Sequence, residues 1–136
     1  KAFPGKLRFV FHNFPLPGHE RARPAAIAAL EARRQKGDDL FFKMHDSMFA
    51  AQKSLSDEGL LEMADGLGLD VDKVRTELAG TRFDKQLAAD AELADKLGVT
   101  GTPATFINGY RVSGAASLVR FKKVVRQALA DKAKKP

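Results

Sequence analysis

The rhythm of apolar and polar positions changes twice along the chain. Leu7–His12 (L-R-F-V-F-H) is a short aromatic and branched run between Pro4-Gly5 and Pro15-Leu16-Pro17-Gly18, and it predicts a buried strand. A helical period then holds for about eighty residues. Pro24 suits a first helical turn, and A-A-I-A-A-L-E-A-R-R follows over Ala25–Arg34, ending near Gly37. Asp38 or Asp39 is expected to cap a helix over Leu40–Ala51, and Ser56 one over Asp57–Leu67, where Leu60, Ala64 and Leu67 share a face. Asp70 is placed to cap Val71–Ala79, which Gly80 stops. Phe83, Leu87, Ala91 and Ala94 keep helical spacing up to Gly98.

The rhythm then shortens. Ala104–Ile107 and Tyr110–Ser113 flank Asn108-Gly109, the dipeptide most suited to a type I′ hairpin, because both central residues of that turn need positive φ. Ser117 is expected to cap a last amphipathic helix with Leu118, Phe121, Val125 and Leu129 on one face. The order is therefore strand, helices, hairpin, helix. No repeat or linker interrupts it, and the reading is one domain over residues 1–136 with a helical insertion at about 20–80. The tail Asp131–Pro136 (D-K-A-K-K-P) is expected to be solvated.

Composition narrows the chemistry. The chain has 136 residues, an apolar fraction of 44 % and ten Phe, enough for a core. Its net charge is +6, but the basic residues alternate with Asp and Glu on helix faces, so no nucleic-acid partner is expected. No apolar run reaches the ~18 residues that span a bilayer, and K-A-F-P-G-K-L-R does not have the form of a signal peptide. With no cysteine, the chain has no disulfide, no thiol nucleophile and no thiolate metal site. His12, His19 and His45 lack metal-ligand spacing, so no metal and no cofactor is expected. His45-Asp46-Ser47 holds triad residue types, but consecutive helical positions diverge by about 100° and are not expected to form a relay.

One loop remains. In G-V-T-G-T-P-A-T-F-I-N-G, Gly98–Gly109, a Thr-Pro bond stands directly before a strand. Proline cannot donate to a ladder, and X-Pro is the common site of cis peptide bonds. Simple strand termination is one reading. The other is a slim approach through Gly101 and Thr102 to an exposed edge that an extended peptide could join.

These segments together resemble a DsbA-like member of the thioredoxin-fold superfamily. L-R-F-V-F-H-N-F-P-L-P with His19 and Ala22 is similar to the family's strand followed by F-P-L-x-x-H-x-x-A. F-F-K-M-H-D-S-M-F, Phe41–Phe49, resembles F-W-x-M-H-D-x-L-F of its helical insertion, with Phe42 where Trp is usual. A-D-G-L-G-L-D, Ala64–Asp70, resembles A-x-x-L-G-L-D, and Val99–Val112 resembles the cis-proline loop and hairpin. The implied fold class is α/β, thioredoxin-like, with an all-helical insertion. The implied site is Gly101, Thr102 and Pro103, which would hold a protein or peptide substrate beside a Cys-x-x-Cys pair. The family places that pair just before a segment like Lys1–Lys6, so the first strand and the active-site helix are expected to be missing here. The implied compartment is periplasmic or otherwise extracytoplasmic.

Three functions follow from this reading. The first is the docking and helical part of a thiol-disulfide oxidoreductase, inactive alone. The second is a cysteine-free thioredoxin-fold module for peptide binding. The third is a fragment that self-associates or exchanges strands through its incomplete sheet. A missing strand predicts a repacked or split sheet, because orphaned buried backbone groups are costly.

Overall fold

The computed structural model describes residues 2–133. Six helices and one hairpin follow one another: α1 (Ala22–Lys36), α2 (Asp38–Ala50), α3 (Asp57–Gly66), α4 (Val71–Leu78), α5 (Asp84–Lys96), β1 (Ala104–Ile107), β2 (Tyr110–Ser113) and α6 (Leu118–Ala133). The chain divides into two compact units, one of residues 13–91 and one of residues 1–12 with 92–136.

Within 13–91, α1 is the central helix and lies against α2, α3 and α4. Its sequence explains this position. Ala26–Ala32 is buried without a break, and four of those seven side chains are methyl groups that let neighbouring helices approach closely. Ile27, Leu30, Phe41, Met44, Leu60 and Val74 fill the remaining space. Full burial of side chains of this size stabilises by about 1.5–3 kcal/mol each. Of the two buried carboxylates of this unit, Glu31 and Glu77, the first is occupied by Arg34 Nε and Nη2 at 2.6 and 2.7 Å and by Gln35 Nε2 at 2.9 Å. That arrangement holds the Arg34 guanidinium in its charged form, raising its pKa.

The same end of α1 fixes the Leu67–Asp70 turn. Gln35 donates to Asp70 O and accepts from Asp70 N, and Lys36 Nζ donates to Gly68 O at 2.6 Å. Ser56 caps α3 by accepting from Gly59 N, and Asp70 caps α4 by accepting from Lys73 N. Asp38 and Asp39 do not cap α2. Gly37 ends α1 and begins α2 within one residue, which places both acids in the first turn of α2. There they complement the helix dipole. Arg33 Nε lies 2.7 Å from Asp38 Oδ1 but is misaligned for a hydrogen bond, so charge alone holds that pair.

In the other unit, α5 ends in a Schellman motif: Val99 N donates to Ala94 O and Gly98 N to Asp95 O. A-D-K-L-G-V repeats the apolar and glycine pattern of A-D-G-L-G-L, where Leu69 N donates to Ala64 O in the same way. The hairpin follows, with Ala104 opposite Ser113 and Ile107 opposite Tyr110. Asn108 and Gly109 both take positive φ, 47° and 91°, as the turn requires. The sheet has these two strands alone among the described residues. α6 packs on both, and its buried side chains are Val125 and Ala128, with Val112 buried on β2. Ser117 Oγ accepts from Arg120 N at the start of α6, and Phe121 and Leu129 are half-buried.

The strand expectation is corrected. Leu7–His12 forms no strand, and Leu7, Phe9 and Val10 are exposed at 56, 70 and 57 %. β-prone composition makes a strand only where a neighbour completes the ladder, and the two-stranded sheet offers this segment none. Of the tail expected to be solvated, Asp131–Ala133 belong to α6, and Lys132 and Ala133 are exposed. Lys134–Pro136, and Lys1, lie outside the described residues. No helix among the described residues is long and apolar enough to cross a membrane.

Candidate functional site

The loop before β1 is open. Gly101 is half-buried, and Thr102 and Pro103 are exposed. A methyl group placed on Gly101 meets nothing within 4 Å, so that side of Gly101 is open. The Thr102–Pro103 peptide bond is cis. Pro103 O accepts from Gly114 N at 2.8 Å, just beyond the Ala104–Ser113 pair. The hairpin ladder thus extends one step to grip the loop, and the side of β1 away from β2 carries no strand among the described residues. Chemically the loop presents backbone donors and acceptors and one hydroxyl, and it holds no group that titrates near neutrality. Backbone groups of this kind can pair with an extended chain, and the loop carries no thiol.

Two side chains that were not foreseen stiffen the hairpin. Tyr110 OH donates to the Asp131 carboxylate, tying β2 to α6, and that hydrogen bond raises the tyrosine pKa above 10.0. Arg111 stands over the Phe106 ring, 5.8 Å from its centroid, and donates to Leu97 O at 3.3 Å. Cross-strand register brings Phe106 and Arg111 together, which spacing along one strand could not reveal.

The histidines are dispersed. His12 is exposed in the 1–12 segment. His19 begins the turn before α1 beside a shallow, open depression of about 490 Å³. Arg21, also on its wall, is engaged by Asp57 and Leu55 O at 2.5 Å each. His45 packs among Phe41, Phe42 and Phe49 on α2. Its Nδ1 lies 2.9 Å from Asp46 Oδ1. Cβ directions diverge by about 100°, but both side chains are long enough to curl back. Asp46 is largely exposed, which weakens the pair. No cluster of three or more His, Cys, Asp or Glu able to hold a metal ion occurs among the described residues.

Comparison with known proteins agrees with this geometry. A family described as DSBA-like thioredoxin domain matches residues 2–126. "Na(+)/H(+) antiporter NhaA 3" of Salinispora tropica is 37 % identical over 131 residues, covering 96 % of this chain and 20 % of that protein. "Probable disulfide bond formation protein D" of Bacillus anthracis is 29 % identical over 112 residues, 77 % of this chain and 51 % of that one. "ClpXP adapter protein SpxH" of Bacillus subtilis is 29 % identical over 128 residues, 88 % and 43 %. The chain thus spans about a fifth of the antiporter and about half of the other two.

Proposed function

The chain belongs to the DSBA-like thioredoxin domain family, and on that premise we propose that it is the substrate-docking and helical part of a protein thiol-disulfide oxidoreductase. Gly101, Thr102 and Pro103 receive an extended thiol- or disulfide-bearing polypeptide against their backbone. The redox cysteines belong to a part of the parent protein outside this sequence, which has none. The observation that carries the reading is the open loop joined to the unpaired side of β1, in a chain of this family. An extended peptide laid along such an edge gains main-chain hydrogen bonds, while the thiols would do the exchange through a mixed disulfide. The reading places the parent in an oxidising, extracytoplasmic compartment.

The absence of cysteine also favours a second reading, a thiol-free peptide-binding module that uses the same loop. Self-association by strand exchange along β1 is a third use of that edge. One experiment separates the first two. The parent protein is examined for a Cys-x-x-Cys pair and assayed on a protein disulfide and on a small dithiol. With the pair present, Thr102→Arg is expected to lower kcat/KM on the protein at least tenfold and to spare the small dithiol, since docking alone is blocked. A parent without the pair ends the redox reading. A Thr102→Arg parent with unchanged protein turnover ends the docking role.

A further inference from the structure

Charge is divided unevenly between the two compact units. The described residues of the unit that contains the hairpin and α6 carry nine Lys and Arg against three Asp and Glu. Residues 13–91 carry eleven against fourteen. The alternation of sign expected along the whole chain therefore holds for the helices of 13–91 and fails at α6, which bears Arg120, Lys122, Lys123, Arg126 and Lys132. Its single acid, Asp131, is held by Tyr110 and Gln127. Among the described residues, none of Arg120, Lys122, Lys123 and Arg126 pairs with a carboxylate.

The helix also exposes apolar surface where it is most basic. Val125 and Ala128 face the hairpin side, and at 100° per residue Val119, Lys123, Arg126 and Ala130 fall on the opposite side. In the first turn Val119, on the outer side, is 76 % exposed, and Leu118, on the side of Val125, is also 67 % exposed. An aliphatic first turn followed by cations on one stripe is the pattern of a helix that lies on an anionic bilayer surface, with its apolar residues at the acyl boundary and its Lys and Arg at the phosphates.

We propose that the outer face of α6, together with its exposed first turn, docks on an anionic lipid surface. A nucleic acid would satisfy the charge, but Leu118 and Val119 have no ring on which bases stack. This inference is independent of the thiol chemistry proposed above, because it uses neither the Gly101–Pro103 loop nor cysteine.

Co-sedimentation of the whole chain with vesicles tests it, comparing phosphatidylcholine alone with phosphatidylcholine containing phosphatidylserine. Binding is expected to the anionic vesicles only, and to be lost between about 0.05 M and about 0.5 M salt. Each lysine or arginine near such a surface multiplies partitioning about fivefold, so K123E/R126E is expected to lower it by well over tenfold. L118S/V119S, which keeps every charge, is expected to lower it about tenfold. Circular dichroism checks that each variant folds, and K123Q/R126Q replaces the charge reversal if that variant does not. No anionic-vesicle binding, or equal binding to neutral vesicles, would overturn the proposal. So would vesicle binding indifferent to L118S/V119S, or a preference for a DNA duplex over the anionic vesicles.

Discussion

At the scale of single residues, the chain offers an unusually clean reporter. Tyr110 is its only tyrosine, and there is no tryptophan, so tyrosinate absorbance reports one group. The hydrogen bond to Asp131 raises its pKa, which means the folded state favours the neutral phenol. That contribution is fully present below the unfolded value near 10 and is lost as pH rises through the higher folded value. A spectroscopic titration is expected to give a midpoint above 10.0, and Asp131→Asn to bring it down; an unshifted midpoint would remove the β2–α6 tie. At α3, Ser56→Ala removes the acceptor for Gly59 N and is expected to cost about 1 kcal/mol in urea unfolding. Gly101→Ala meets open space and no positive φ, so the expected change in stability is within about 0.5 kcal/mol or slightly favourable. A large loss there would mean that the glycine serves packing rather than access. These local features were legible because each rests on neighbours a few residues away: Ser56 and Asp70 as caps, Asn108-Gly109 as the turn. Asp38 misled because a two-helix corner through Gly37 leaves no cap position for it.

Among the elements, α1 and the hairpin set the extremes of stability. α1 is enclosed by three helices, whereas the hairpin leans on one helix through few buried side chains. Two strands alone are marginal in water. Amide exchange is expected to be slowest at Ile27–Leu30 and α2, and orders of magnitude faster at Thr105–Val112. Equal protection in both would contradict this division. The helical periods and their glycine stops were readable from the residues because burial there is local. Leu7–His12 was not, although L-R-F-V-F-H has the composition of an interior strand. Strand formation depends on a pairing strand that the segment's own residues do not specify, and Leu7, Phe9 and Val10 stand exposed.

For the whole molecule, the family and the order of elements follow from several motifs in sequence, while the site depends on what those elements bring together. The Gly101–Pro103 loop could be picked out by its Thr-Pro bond. Its clamp by Gly114 N could not, since that hydrogen bond follows from hairpin register. The concentration of positive charge on one unit was equally hidden until the division of the chain was known. Without a thiol, the isolated chain is expected to show no insulin reduction above the uncatalysed rate. Docking at the Gly101–Pro103 loop is tested by amide chemical shifts of the labelled chain, titrated with an extended, thiol-blocked peptide. Saturable shifts contiguous over Gly101, Thr102 and Ala104–Ile107 are expected, absent in Thr102→Arg. Saturable shifts confined to other surfaces, or none at all, would contradict it.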